Sequence, residues 1–294
     1  MTLGQALSEA RSFLQSSGIE EAALEAEVMV MQSTGLSRAR LYASLTEPAP
    51  TPDIELLLPS MLARRAAREP LAYIVGFREF FGLEFEVNKS TLIPRQETEA
   101  LVETSILLSN DHFSGVAAIV DIGTGSGAIA ISLAVLLSKA TVIATDISGE
   151  ALRTAAANAN RHGVAGRISF RQGDLLRPIH EPVDIVVANL PYVTKTEMEA
   201  LAPEIKLHEP STALEGGVDG LDLVRRLLEQ VALLPSRPRF VALELGEAQI
   251  TPTIALAENT FGPRVAQPYK DISGAERGIL IELTSKPNLI GLQT

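Results

Sequence analysis

Ala117-Ala118-Ile119-Val120-Asp121-Ile122-Gly123-Thr124-Gly125-Ser126-Gly127-Ala128 is an apolar run that ends in a loop of three glycines. The run reads as a buried strand, and the glycines as the turn into a helix opening at Ala128. Glycine lets a backbone approach a ligand closely, and a helix N-terminus favours negative charge. Asp146 closes the next strand, 19 residues after Gly127. A carboxylate there can accept both hydroxyls of an adenosyl ribose. Asp121, Gly123, Thr124, Gly125, Ser126, Gly127 and Asp146 are therefore the candidate cofactor-binding residues. Gly123, Gly125 and Ala128 also complete a dinucleotide fingerprint with the acidic residue at the expected distance, so the loop alone leaves NAD open.

Outward from this loop, strands and helices alternate. Strands are expected at Ala117–Ile122, Thr141–Asp146, Arg167–Gln172, Val183–Asn189 and Phe240–Leu245. Helical patterns lie between them, the last at Asp219–Leu234. Two closing strands, Val265–Tyr269 and Gly278–Leu283, suggest an antiparallel edge. Such alternation gives a parallel sheet with helices on both faces. The first seventy residues read as helices over Leu3–Ser17, Glu20–Thr34, Ser37–Leu45 and Asp53–Glu69, with Pro48–Pro52 as a breaker. Leu71–Val87 changes period. Tyr73–Gly76 and Leu83–Val87, on either side of Phe77–Gly82, read as a β-hairpin. The expected organisation is a helical recognition domain at 1–70, a linker with a hairpin at 71–95, and an α/β domain at 96–294.

The fourth strand runs into Asn189-Leu190-Pro191-Tyr192. Open α/β sheets place ligands at such strand ends. The quartet suits a planar –NH2 group: the Asn189 side-chain oxygen accepts one hydrogen, the Leu190 carbonyl accepts the other, and the Tyr192 ring lies against the plane. A hydride-transferring enzyme has no evident need for it; a methyltransferase acting on nitrogen does. Asp174, after the third strand, is a candidate acceptor for the exocyclic amine of adenine, with Leu175 packing beside it.

The chain has 294 residues, 46% of them apolar, and a net charge of -11. That charge divides into -3 up to residue 96 and -8 beyond it. Neither part is a basic module, which argues against nonspecific binding to a phosphate backbone. Arg64, Arg65 and Arg68 share one expected helix and read as a solvated face. There is no cysteine, hence no disulfide and no thiolate site. His112, His162, His180 and His208 lack ligand spacing, so no metal is expected. No basic leader with an apolar core opens the chain, and Ala128–Leu137 is too short to span a bilayer. A cytoplasmic protein without a membrane segment is expected, most simply a monomer.

Several further motifs carry a resemblance over almost the full length. Gly76-Phe77-Arg78-Glu79-Phe80-Phe81-Gly82, Thr91–Glu99 with its Ile93-Pro94-Arg95 core, Asp121–Gly127, Glu209–Leu214 followed by Gly216–Leu221, and Asp271–Arg277 occur in this order. Together they resemble the bacterial protein-(glutamine-N5) methyltransferases that modify peptide chain release factors, the HemK/PrmC family. The resemblance implies a class I, Rossmann-like α/β methyltransferase with a mostly parallel seven-stranded sheet. It implies S-adenosyl-L-methionine as cofactor, S-adenosyl-L-homocysteine as product, and the glutamine of a Gly-Gly-Gln segment as methyl acceptor. Asn189, Leu190, Pro191 and Tyr192 would be the catalytic and substrate-binding residues, with Asn189 also near the cofactor. Arg95 and Phe80 would grip the substrate loop. The chain departs from the family at Leu190, where proline is usual, and at Leu175, where an aromatic residue is common. Asn-Leu-Pro-Tyr is also similar to the motif of ribosomal RNA adenine dimethyltransferases. An RNA or DNA amino-methyltransferase, acting on adenine N6 or cytosine N4, is therefore the alternative reading.

Overall fold

The structure, a computed structural model, describes residues 1–49 and 51–283. Its contacts divide the chain into two compact units. Met1–Phe77 and Ala202–His208 form one; Arg78–Leu201 and the described residues from Glu209 onward form the other.

The first unit holds α1 (Leu3–Ser16), α2 (Ala22–Thr34), α3 (Arg38–Ala43), α4 (Thr51–Ala66) and α5 (Leu71–Val75). Thr2 starts α1 with a capping box: its hydroxyl accepts from the Gln5 amide at 3.2 Å, and the Gln5 side chain accepts from the Thr2 amide at 2.8 Å. Gly35 ends α2 in a left-handed conformation. Leu3, Ala6, Ala10 and Leu14 of α1 share a buried core with Ala26, Met29 and Val30 of α2. The small alanines let the two backbones approach.

Three expectations are corrected in this unit. Tyr73–Gly76 is not a strand. Pro70 opens the one-turn helix α5 and left-handed Gly76 closes it. The arginines do not form a solvated face. Arg65 is buried and donates to both carboxylate oxygens of buried Glu25, at 2.6 and 3.2 Å, and to Glu204 at 3.0 Å. Arg64 pairs with Glu69 at 2.8 and 2.9 Å. The breaker also ends sooner than expected, since α4 begins at Thr51 and carries Pro52 in its first turn, where a missing amide costs nothing.

The hairpin β1 (Phe77–Phe80) and β2 (Leu83–Glu86) follows, all of it but Phe77 in the second unit. Phe81 and Gly82 turn it with φ of 53° and 72°, matching a two-residue hairpin turn. The strand therefore falls on Phe77–Phe80, which the sequence pattern leaves as a connector. Next come α6 (Glu99–Phe113), β3 (Ala118–Ile122), α7 (Ala128–Leu136), β4 (Thr141–Asp146), α8 (Gly149–Arg161), β5 (Ile168–Gln172) and β6 (Ile185–Ala188). After them follow β7 (Val193–Thr194), α9 (Lys195–Ala200), α10 (Pro203–His208, grouped with the first unit), β8 (Glu215–Gly217), α11 (Asp222–Leu233), β9 (Phe240–Glu244), α12 (Ile250–Phe261), β10 (Ala266–Lys270) and β11 (Glu276–Glu282).

Seven strands form one sheet in the order β10-β11-β9-β6-β3-β4-β5. Six run in the same direction, and β11 alone runs antiparallel, to both its neighbours. Alternation divides the sheet's apolar side chains between two cores. Ile119, Ile185 and Val187 join α6 and α7 on one face; Val120, Ile122 and Val186 join α11 on the other.

The chain leaves β3 for β4 on one side and returns to β6 on the other, so the strand order reverses at β3. Ligands bind outside the carboxyl ends of strands at such a reversal. The register puts the expected residues there. Ile122 lies opposite Thr145 and Ala188, and Ala188 lies opposite Leu243. Gly123, Asp146, Asn189 and Glu244 therefore emerge side by side from four adjacent strands.

Candidate active site

The glycine loop is held from beneath. Gly123 and Thr124 donate to the Thr145 carbonyl at 2.8 and 2.9 Å, and Gly125 donates to Asp146 Oδ2 at 2.9 Å. Gly127 has φ of 82°, and a Cβ there would meet Ile131 at 2.7 Å and Ala155 at 3.1 Å, so only glycine lets α7 start this close to α8. At Gly125 a Cβ would meet nothing within 4 Å, which leaves the loop open above its centre.

Two carboxylates stand at this loop. Asp146 accepts from Ser148 at 2.8 Å as well as from Gly125, and burial raises its pKa. Asp121 is fully buried. Its Oδ2 accepts from the Thr124 hydroxyl at 2.6 Å and the Ala130 amide at 3.2 Å, while Oδ1 has no partner among the described residues. Burial pushes Asp121 up to about 7, and those two donors oppose the rise. Unused acceptor capacity beside an open glycine loop fits a ligand with hydroxyls and a positive charge. The residues present therefore fit an adenosyl sulfonium cofactor.

The quartet is braced from behind. Leu190 is buried, with its side chain against Gly123. Asn189 donates through Nδ2 to the Thr98 hydroxyl at 3.1 Å. Gln249 Nε2 donates to the Tyr192 carbonyl at 2.7 Å and to the Asp219 carbonyl at 3.3 Å. A Cβ at Gly216 would stand 2.7 Å from the Pro191 carbonyl, and one at Gly220 would stand 2.2 Å from the Tyr192 carbonyl. The Gly216–Leu221 block is thus glycine-rich because it lies flat against the back of Pro191-Tyr192. Burial pushes the Tyr192 hydroxyl up to about 12, with the Glu244 carboxylate adding to the effect.

Comparison with known proteins now bears on this arrangement. Residues 5–76 match the PrmC N-terminal domain, and residues 119–208 match a methyltransferase domain. The release factor glutamine methyltransferase of Moorella thermoacetica is 42% identical over 281 residues, covering 95% of this chain and 98% of that one. Its counterpart in Bacillus subtilis is 38% identical, covering 95% and 96%. This chain belongs to the release factor glutamine methyltransferase family. Among solved structures, the hMettl16 catalytic domain in complex with MAT2A 3′UTR hairpin 1 aligns with a TM-score of 0.57 at 18% identity, covering 76% of this chain and 81% of that one. A human methyltransferase 10 domain containing protein aligns at 0.50 with 19% identity, covering 69% and 89%. At such identity the likeness concerns the fold, a Rossmann-like methyltransferase.

The family's remaining expected residues divide. Phe80 is corrected: it is 1% exposed and packs edge-on against Phe85 at 6.1 Å between ring centroids, because it lies on the inward face of the hairpin. It cannot touch a substrate; half-buried Phe81 beside it is the more accessible ring. Arg95 forms an ion pair with buried Glu209, whose other oxygen accepts from the Ile93 amide at 3.3 Å. Glu209 therefore ties the Ile93-Pro94-Arg95 segment to the Glu209-Pro210 block. Asp174 receives Arg226 on both oxygens at 2.6 Å, and Arg177 lies at 3.4 Å. Its carboxylate is engaged rather than free, and Leu175 follows it buried, with φ of 53°. Thr98, Glu244 and Gln249 were not singled out from sequence. Glu244 carried a signal there, as the one charge in the apolar strand Phe240–Leu245. Among the described residues no group of three His, Cys, Asp or Glu side chains could hold a metal, and no helix is long and apolar enough to cross a membrane.

Proposed function

We propose that this chain methylates the side-chain amide nitrogen of the glutamine in the Gly-Gly-Gln segment of peptide chain release factors, using S-adenosyl-L-methionine and leaving S-adenosyl-L-homocysteine. The observation that carries the reading is the setting of Asn189. Its Nδ2 is tied back to Thr98, which turns Oδ1 the other way, at the sheet edge that bears the glycine loop.

When bound, the cofactor supplies a methyl group activated by a sulfonium centre. The substrate amide is a poor nucleophile, because its lone pair is delocalised into the carbonyl. Asn189 Oδ1 and the Leu190 carbonyl accept its two hydrogens, return electron density to the nitrogen, and aim it. Tyr192 supplies a ring face; a hydroxyl pushed up to about 12 keeps its proton at neutral pH and is no base. None is needed before attack, since the nitrogen becomes acidic only as the methyl arrives, and the proton it then sheds passes to water. Positioning in a dry site accounts for on the order of 7–11 kcal/mol at best. Asp146 holds the ribose hydroxyls, and Asp121, pushed up to about 7 by burial, carries part of a negative charge beneath the loop at neutral pH. The helical unit is the recognition module for the release factor, and the enzyme works in the cytoplasm as a monomer.

Offering a release factor, RNA and DNA side by side with labelled cofactor tests this. Label is expected in the release factor alone; label only in nucleic acid would overturn the reading. Asp146→Ala is expected to weaken cofactor binding by about 1–3 kcal/mol through lost hydrogen bonds to a charged acceptor, read by calorimetry. Unchanged affinity would contradict the ribose assignment.

A further inference from the structure

Glu244 ends β9, where the register sets Leu243 opposite Ala188 and hence Glu244 beside Asn189. It is 5% exposed, at the end of a strand in which every residue is buried. Its Oε2 has no hydrogen-bond partner among the described residues. A buried, partly unsatisfied carboxylate costs stability and calls for a role. One cross-strand row extends from it: Gly278 lies opposite Glu244, and Tyr269 lies opposite Gly278. A Cβ at Gly278 would meet the Tyr269 ring and hydroxyl at 2.7 Å, so glycine lets that ring lie across the row. The Tyr269 hydroxyl is also buried without a partner among the described residues.

We propose that Glu244 is a positioning residue whose ionised carboxylate fixes which end of the Asn189 amide faces the substrate. This rests on Asn189 being the acceptor for the substrate nitrogen. The Thr98 hydroxyl that Asn189 meets can donate or accept, so by itself it holds the observed orientation of the amide only weakly. An ionised carboxylate can only accept. Placed beside Asn189, it draws Nδ2 toward itself and repels Oδ1, which leaves Oδ1 for the substrate. Once protonated, it can donate to Oδ1 and the distinction is lost.

The surrounding charges agree with such a switch. Burial pushes Glu244 up to about 7. Donors on Thr98 and Asn189 and the positive charge of Arg277, from β11, oppose the rise, while Glu97, in the turn ahead of α6, adds to it. Burial raises the pKa values of Tyr192 and Tyr269, and the charge of the same Glu244 carboxylate adds to both. The group is therefore neutral below about pH 7 and charged above it. Methyl transfer should fall as pH falls through that value.

The experiment uses the full chain in three forms: wild type, Glu244→Gln and Thr98→Val. Methyl-transfer rates on a release factor are followed from about pH 6 to pH 9, cofactor affinity is measured by calorimetry, and the Asn189 side-chain –NH2 is followed by nitrogen-edited NMR in the absence of substrate. Wild type is expected to show an inflection near pH 7 in rate, in which Asp121, also pushed up to about 7, takes part, and the Asn189 signals should move with a midpoint near pH 7 set by Glu244. Glu244→Gln should lose the Asn189 NMR midpoint and turn over ~10–100-fold more slowly at pH 8, the scale of a lost orienting partner, with cofactor affinity unchanged. Thr98→Val should keep the inflection. Wild-type turnover in Glu244→Gln, or the same Asn189 NMR midpoint in it, would overturn the proposal. If Glu244→Gln does not fold, the wild-type Asn189 signals decide: a midpoint near pH 7 supports the coupling, and signals indifferent to pH refute it. Failure of wild type to methylate any release factor would count against the proposed substrate, while the NMR titration would still report on Glu244.

Discussion

Asn189→Ala is expected to slow methyl transfer by at least ~100-fold, the scale of removing one preorganised hydrogen-bonding group from a reaction centre. The substitution removes Oδ1, one of two acceptors for the substrate –NH2, and leaves Nδ2's partner Thr98 in place. The Leu190 carbonyl belongs to the backbone and survives, so one of the two contacts remains. Cofactor affinity should change little, because Gly123, Gly125 and Asp146 form their hydrogen bonds without Asn189. Single-turnover rates at saturating cofactor, alongside calorimetry, separate the two effects. Turnover like that of wild type would remove Asn189 from the chemistry.

Gly220→Ala carries the second large effect. Its φ is 75°, and an alanine there costs about 1–2 kcal/mol for the left-handed backbone alone. The added Cβ would stand 2.0 Å from Gln249 Nε2 and 2.2 Å from the Tyr192 carbonyl, which are the two ends of one 2.7 Å hydrogen bond. Neither can retreat without breaking that bond, and overpacking of this kind costs about 1–3 kcal/mol more. A melting temperature lower by roughly 4–20 °C is expected, at ~2–4 °C per kcal/mol for a domain of this size. Turnover should fall by ~10–100-fold as Tyr192 loses its brace, since small misplacements of a reaction centre are costly. A variant with unchanged melting temperature and rate would show that the Gly216–Leu221 block does not support the quartet.

The sheet was legible because its strands are strongly apolar and its turns carry glycine. Thr141–Asp146 was read with its boundaries, and the others within a few residues. The glycine loop, Asp146 and Asn189 could be placed at one edge because parallel strands end together. The hairpin was misplaced, because Tyr73-Ile74-Val75 has the side chains of a strand while Pro70 and Gly76 impose a single helical turn. Phe80 and Phe81 are adjacent, yet the first closes a strand with its ring inward while the second sits in the turn and is half-exposed. Pairings across long separations were beyond reach: Arg226 meets Asp174 across 52 residues, and Arg65 meets Glu204 across 139. Gly216 and Gly220 were recognisable as a motif, but their closeness to the Pro191-Tyr192 backbone is a tertiary fact.

The most direct test locates the transferred methyl group. A release factor is incubated for a single turnover with labelled cofactor and either wild type or Asn189→Ala, then fragmented and sequenced by mass spectrometry. Label is expected on the side-chain nitrogen of the Gly-Gly-Gln glutamine with wild type, and at least ~100-fold more slowly with the variant. Label on another residue, or equal rates for the two proteins, would contradict a mechanism in which Asn189 presents that nitrogen.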